Sequence, residues 1–420
     1  MNHELTKDFI NAHLNDDVNK LALSKLPDDI DKQFVIRQIQ ARQLLKKKLP
    51  SWSENDELLF PKRLSLEQCS SELTAKYKRT ICRSDAKSLI DLTGGMGVDT
   101  SFLSDNFDET IYVESQAELC ELAEHNFKVL KKNIKVVNAK AEDFLTQCGE
   151  VDCIYLDPAR RDEYGRKMVS LHDCSPDVAE LQDLLFEKTN TVIVKLSPML
   201  DIDIIKKELK NIKEIHVVAV KNECKEVLVL CQRTTDNGQQ TSSEEDARPC
   251  ISTRVVDLHE NWKFSFTEDE VQNAIPTFAD EIGKYLYEPS VACMKAAPFK
   301  LLSQRFNIKK LHRNSHLYTS DGLVTDFPGR TFEVINVIPF NKKTKKTLMQ
   351  TLTQTQSDEH SATWRLGDLV TQKVSIAVRN FPLSAEELRK HLGFKDGDDF
   401  YIFGTTMKGE KKMLVLGSKC

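Results

Sequence analysis

The spacing of hydrophobic positions changes along the 420-residue chain and divides it into stretches of different kind. Up to about residue 85 apolar residues recur near every 3.6 positions. FVIRQIQARQLLKKKLP keeps this spacing until Pro50 stops it, and LSLEQCSSELTAKYKRTI predicts a second amphipathic helix, with Ser65 and Gln68 placed as a capping box. From about residue 86 short β-type runs alternate with helical ones. SLIDLT, TIYVE, IKVVN, VDCIYLD and TVIVKL are separated by segments such as SQAELCELAEHNFKVLKK, where Leu119, Leu122, Ala123, Phe127 and Leu130 share one face. This alternation predicts a parallel sheet with helices on both sides. EIHVVAV and EVLVLCQR, joined by KNECK, predict an antiparallel hairpin at its edge, and RVVDLHENWKFSF a further hairpin.

Residues 233–249 are polar and aperiodic, which predicts a flexible loop. From about residue 280 a new set of elements begins. KYLYEP, HLYTS, TFEVINVIPF, FYIFGT and KKMLVLG read as strands; CMKAAPFKLLSQRF, KKTKKTLMQTL and SAEELRKHLGF read as helices, the last with Ser384 as N-cap and Glu387 at N3. These form one or two small α+β units. The fold class is therefore α/β, with a Rossmann-like sheet over residues 86–275, a helical region over 1–85 and an α+β region at the C-terminus.

Composition narrows the class. A 40% hydrophobic content excludes a wholly disordered chain. No run approaches the roughly 18–20 apolar residues of a membrane span, and the mixed-charge N-terminus lacks a signal-peptide core, so a soluble cytoplasmic protein without membrane contact is expected. The eleven cysteines include no C-x-x-C pair, and Cys153 and Cys231 lie in apolar runs where a thiol packs as a small hydrophobe. His312 and His316 have helical i, i+4 spacing but no companion ligand, so no metal is expected. The net charge of −5 averages two unlike parts. Residues 285–420 carry 21 Lys+Arg against 13 Asp+Glu, net +8; the rest has 38 against 51, net −13. A basic appendage on an acidic body suits a polyanion, although a lysine-rich solvated surface has the same composition.

The chemistry concentrates at strand ends. DLTGGMGVDT (91–100) stands at a strand-to-helix junction, where Gly95 and Gly97, with Thr93 and Gly94, let backbone approach a ligand. Asp91 adds negative charge, unsuited to a pyrophosphate but suited to an amino group; Asp99 is a further cofactor-binding candidate, and Thr100 stands where a dinucleotide fingerprint needs glycine. S-adenosylmethionine, which carries an ammonium, a sulfonium and no phosphate, is the expected cofactor. Glu114, 19 positions after Gly95, is spaced to accept from the ribose hydroxyls, and Ala141 and Glu142 to lie beside the adenine. In DPARR (157–161), Asp157 can accept a hydrogen bond or proton from the substrate. Pro158 shapes the turn, and Arg160, Arg161, Arg166 and Lys167 place positive charge beside it, suiting a phosphate-bearing substrate unless they pair with surface acids. Lys195 and Ser197 of KLSP should face the same crevice. Glu223, Cys224 and Glu226 lie at that end of the sheet, with Cys224 the one thiol weighed as a nucleophile against simple packing.

At these residues the sequence resembles class I SAM-dependent methyltransferases. It resembles more closely a bacterial family with a ferredoxin-like unit and a THUMP-like C-terminal domain, through LSLEQCSSELTAKYK (64–78), DLTGGMGVDT, DPARRDEYGRK (157–167), VKLSPMLDI (194–202), NECKE (222–226) and HLYTSDGLVTDFPGR (316–330). The resemblance implies a helical domain over 1–85, a methyltransferase domain over 86–275, a ferredoxin-like unit over 280–330 and a THUMP-like domain over 331–420. THUMP domains occur in RNA-modifying enzymes, so it also implies a tRNA or rRNA substrate. Two departures stand out: Thr93 occupies the position of the usual first glycine, and DPAR replaces the D/N-P-P-aromatic motif of amino-group methylating enzymes, leaving Arg160 to stack as a guanidinium plane. The expected activity is methylation of RNA. A protein or small-molecule methyltransferase, or a binding module without catalysis, are the alternatives.

Overall fold

The structure is a computed structural model that describes residues 3–27, 29–82, 85–160, 170–233, 250–357 and 373–420. The chain divides into two compact units, Met1–Val218 with Lys225–Ile251, and Ala219–Cys224 with Ser252–Cys420. The expected loop lies, apart from Arg233, outside the described residues.

The first unit opens with six helices: α1 (His3–Ala12), α2 (Val18–Leu23), α3 (Lys32–Leu45), α4 (Pro50–Ser53), α5 (Arg63–Gln68) and α6 (Glu72–Arg79). Ala41, Leu45, Trp52, Phe60, Leu66 and Ala75 form one apolar cluster that continues to Met96 and Val98 of the glycine segment. The helical lead is thus packed against the glycine segment. The stretch expected as one helix over 64–81 is broken. Cys69 is extended, Ser71 caps α6 by accepting the Thr74 N–H, and Ser65 sits inside α5 rather than capping it. Adjacent serines offer the backbone side-chain partners outside a helix, which favours a break at that point.

The sheet follows as β1 (Ser88–Asp91), α7 (Val98–Leu103), β2 (Glu109–Glu114), α8 (Ala117–Val129), β3 (Ile134–Asn138), α9 (Ala141–Gln147) and β4 (Cys153–Leu156). A small antiparallel pair comes next, β5 (Ala159–Arg160) with β6 (Cys174–Ser175), then α10 (Val178–Lys188), β7 (Thr191–Leu196), α11 (Ile202–Glu208), β8 (Ile212–Val220) and β9 (Glu223–Gln232). The order is β8-β9-β7-β4-β1-β2-β3. β3, β2, β1, β4 and β7 are parallel, and β9 runs antiparallel to β7, as the alternation predicts. Every residue of β4 is buried, as befits a strand covered on both faces, and Cys153 and Cys231 pack in the core.

The second unit holds the hairpin β10 (Ser252–Asp257) and β11 (Trp262–Thr267), followed by α12 (Glu268–Asn273). A seven-stranded sheet then forms from β12 (Tyr285–Pro289), β13 (Lys309–Lys310), β14 (Tyr318–Ser320), β15 (Gly329–Pro339), β16 (Lys373–Arg379), β17 (Lys395–Thr406) and β18 (Lys412–Lys419). Its order is β13-β14-β12-β15-β18-β17-β16, with only β16 and β17 parallel. Helices α13 (Val291–Ala296), α14 (Phe299–Arg305), α15 (Thr344–Ser357) and α16 (Ala385–Leu392) accompany it. The expected single helix over 293–306 is two, because Ala297 takes φ +57° and Pro298 lacks an N–H to continue the ladder. The Ser384–Glu387 capping box is formed. His312 and His316 share no helix face: His312 Nε2 lies 3.0 Å from Glu410 Oε1, while His316 stacks on Phe299. No helix among the described residues is long and apolar enough to cross a membrane.

Candidate functional site

Strand β1 lies between β2 and β4, so the chain winds outward from it in both directions. In such sheets the ligand crevice opens at the carboxyl ends of the strands beside this reversal. Asp91 ends β1, Glu114 ends β2, Asp157 follows β4, and Lys195 stands one residue before the end of β7. These four residues therefore share one end of the sheet.

The three glycines of the loop are required for different reasons. A Cβ on Gly94 would lie 2.1 Å from the Tyr112 ring, and one on Gly97 would lie 2.8 Å from Phe127, so both are small because the loop packs on aromatic side chains. Gly97, at φ +81°, starts α7. Gly95 has φ +54°, and among the described residues a Cβ there would meet only the Thr93 carbonyl at 3.8 Å. Its surface is the open part of the cradle. The Gly95 N–H donates to Glu114 Oε2 at 3.0 Å, while Glu114 Oε1 accepts from the Gln116 N–H and the Ser115 hydroxyl. The Tyr112 hydroxyl donates to the Gly95 carbonyl.

Asp91 is buried. It accepts the Thr93 N–H at 3.0 Å and the Thr100 hydroxyl at 2.5 Å, so Thr100, in place of a third glycine, ties α7 to β1. Burial, only partly offset by these bonds, pushes its carboxyl up to about 7, and the charges of Asp99 and Asp157 act in the same direction. Thr93 reaches across the crevice: its Oγ1 accepts the Asp157 N–H at 2.6 Å.

Asp157 Oδ2 lies 2.5 Å from Lys195 Nζ. Burial works against the Lys195 ammonium, but the carboxylates of Asp157, Asp99 and Glu226 hold it above the ordinary lysine range. Pro158 is half-buried beside Asp157. Arg160 is placed through its backbone, paired with Cys174, whereas Arg161, Arg166 and Lys167 lie outside the described residues. Ala141, buried, and Glu142, exposed, open α9; the Ala139 N–H and the Asn138 amide both donate to the Glu114 carbonyl, which holds this segment at the end of β2. Cys224 is half-buried in the Ala219–Cys224 segment, which belongs to the second unit.

A family model for a ferredoxin-like domain matches residues 285–328, and one for a THUMP-like domain matches 364–419. Among solved structures, a "putative methyltransferase" from Porphyromonas gingivalis W83 aligns over 99% of this chain and 98% of its own, at 33% identity and TM-score 0.80. The chain belongs to that protein's family. Precorrin-6y C5,15-methyltransferase from Geobacter metallireducens GS-15 (13% identity, 43% of this chain and 96% of that one, TM-score 0.31) is a far weaker match. So is an rRNA methylase from Streptococcus thermophilus (11%, 39% and 95%, TM-score 0.28), and neither bears on this chain's activity. No curated protein matches the chain.

In this family member buried charges surround Asp99, and no local sequence pattern marks their pairing. Lys78 of α6 is fully buried. Its Nζ donates to Glu226 Oε2 at 2.8 Å and to the Ser70 hydroxyl at 2.9 Å, and lies 3.2 Å from Asp99 Oδ1. Asp99, read from sequence as a cofactor ligand, is engaged inward: its Oδ2 accepts the Ser70 and Tyr155 hydroxyls, each at 2.8 Å. Burial opposes its charge, yet Lys78 and then Lys195 bring its carboxyl below the ordinary range. Burial raises Glu226 against the same two lysines. Burial also pushes up the Cys69 thiol, which feels Lys48, Asp99 and Lys195. A signal existed for Lys78, since with Thr74 and Ala75 it falls on one face of α6, the face that is buried.

Proposed function

We propose that this protein is an S-adenosylmethionine-dependent methyltransferase that acts on RNA, a base of tRNA or rRNA. One observation carries the methyl-transfer reading: an open glycine turn at Gly95, bonded to Glu114, faces the same sheet end as the Asp157–Lys195 pair. The residues fit the cofactor. The space above Gly95 admits a ligand that any Cβ would crowd, and Glu114 keeps lone pairs on both oxygens for ribose hydroxyls. Asp91, with Thr93, Gly94 and Gly97 shaping the loop around it, supplies negative charge for an amino group, and Ala141 and Glu142 border the adenine. Bound S-adenosylmethionine supplies an electrophilic methyl group. Asp157 orients the accepting atom and takes its proton, the Pro158 carbonyl and the Arg160 guanidinium hold the base, and Lys195 fixes the Asp157 carboxylate. Rate comes chiefly from positioning and exclusion of water.

The RNA part rests on the charge split and the THUMP-like match. Residues 285–420 carry net +8, and Lys342, Lys343, Lys345 and Lys346 are exposed around the start of α15. The deciding experiment incubates the full chain with labelled S-adenosylmethionine and total RNA, followed by nucleoside analysis. Label in an RNA nucleoside is the expected outcome. Label recovered only in protein or a small molecule would favour the alternative substrates. RNA affinity should fall steeply with salt and drop when the four lysines become Glu.

A further inference from the structure

Lys78 is a lysine at 0% exposure, on a helix outside the sheet. Burying an ammonium is costly, and well-packed apolar side chains stabilise a core at least as well as a buried ion pair. The placement of this one suggests a reason for keeping it. Its partners are the second residue of α7 and an acid of β9, so one side chain joins three elements around the glycine loop. Asp99 lies two positions after Gly97, in the first turn of the helix whose start forms the loop. Its Oδ2 accepts the Ser70 and Tyr155 hydroxyls, and its Oδ1, without a hydrogen-bond partner among the described residues, lies 3.2 Å from the Lys78 ammonium, so that turn cannot rotate without breaking the set. Ser70, in the break between α5 and α6, bonds to both Asp99 and Lys78. The same break that interrupts the predicted helix thus aims the Ser70 hydroxyl at α7, beside the Lys78 ammonium from α6.

We propose that Lys78 is a positioning residue for the cofactor loop, transmitting the packing of the N-terminal helices to the Gly95–Gly97 turn through Asp99. Glu226 completes the anchor through one oxygen, while its Oε1 has no hydrogen-bond partner among the described residues. The carboxylates also act on Lys195, so the cluster reaches the Asp157 side of the crevice as well. Asp91, Tyr155 and the Cys69 thiol are the other titratable groups that feel Asp99. This inference rests on the reading of the loop as an S-adenosylmethionine site. Coupling is reciprocal: if α6 holds the loop, a ligand on the loop must in turn quieten α6.

The test uses the full wild-type chain and S-adenosylmethionine. Amide hydrogen exchange with and without the ligand should show slower exchange in residues 94–103 and also in 72–79. Protection confined to 94–103 overturns the proposal while leaving the cofactor site intact. A second arm uses Lys78→Met combined with Glu226→Gln, which leaves Asp99 its two hydroxyl partners and avoids two stranded acids. Calorimetry below its melting temperature should find S-adenosylmethionine bound about tenfold more weakly. A purely structural lysine would lower the melting temperature and leave affinity within about twofold of wild type, which overturns the proposal. Failure of the wild type to bind at all would remove the cofactor reading itself, and this inference with it.

Discussion

The Thr93 hydroxyl accepts the backbone N–H of Asp157 at 2.6 Å, joining the loop after β1 to the loop after β4 across the sheet end. Glycine, the usual residue at this point of the loop, has no side chain to do so. The departure noted in the sequence is therefore a cross-brace: it fixes the backbone of the proposed substrate-binding acid relative to the cofactor loop. Thr93→Val keeps the shape and removes the acceptor. It should lower stability by about 1–3 kcal/mol in urea unfolding, since a half-buried N–H is left unpaired, while Thr93→Ser should recover most of the loss. A loss in Thr93→Ser with none in Thr93→Val would mean that the methyl contact, not the bond, matters.

The glycines should separate by mechanism. Gly94→Ala drives a Cβ into the Tyr112 ring and should prevent folding or cost the most stability; Gly97→Ala meets Phe127 and also a positive φ. Gly95→Ala has room and suffers only the left-handed backbone, roughly 1–2 kcal/mol. Its larger effect should be on ligand binding, because the added methyl occupies the open cradle. Thermal melts and S-adenosylmethionine titrations on the three variants check the ranking. If Gly95→Ala bound the cofactor like wild type, the cradle would lie elsewhere.

Lys195→Met tests the Asp157 side. Lys195 is held above the ordinary lysine range, so it stays charged throughout the pH range of an assay and should leave no inflection in a rate profile between about pH 6 and 9. Without it Asp157 loses its ion pair and its fixed orientation. Methyl transfer should slow by about a hundredfold, with the S-adenosylmethionine dissociation constant changed far less. A loss confined to cofactor affinity would place Lys195 on the other ligand.

Much of the site was legible because it depends on local patterns. Strand ends put Asp91, Glu114, Asp157 and Lys195 at one edge, and alternation of strands and helices predicts that edge without any contact being known. Two stretches that the apolar periodicity predicts as single helices are broken, because the Ser70–Ser71 pair and Ala297–Pro298 override the periodicity that spans them. What periodicity could not show were pairings across large sequence separations. Lys78 meets Glu226 148 positions away, and Asp99 turns from the crevice because Ser70, Tyr155 and Lys78 converge on it. A charged residue near a glycine loop reads as a ligand until the residues that neutralise it are known.

Asp91 gives the last prediction, in which pH acts on both stability and binding. Its folded value of about 7 lies above the ordinary 3.8, so the folded state holds a proton that the unfolded state releases first. The stabilisation from protonated Asp91 is fully present below pH 3.8 and is lost as pH rises to about 7; above that the burial cost of the charge is constant. Asp91→Asn should remove this slope from a stability-against-pH curve, flattening it between those limits. Binding should show the opposite trend. A cationic amino group placed near Asp91 favours its ionised form, so S-adenosylmethionine should expel a proton at pH 6 and bind more tightly at pH 8. Calorimetry at pH 6 in two buffers of different ionisation enthalpy measures that proton directly. Proton release from wild type and none from Asp91→Asn is the expected result; identical release from both proteins would sink the assignment of Asp91 to the cofactor's charge.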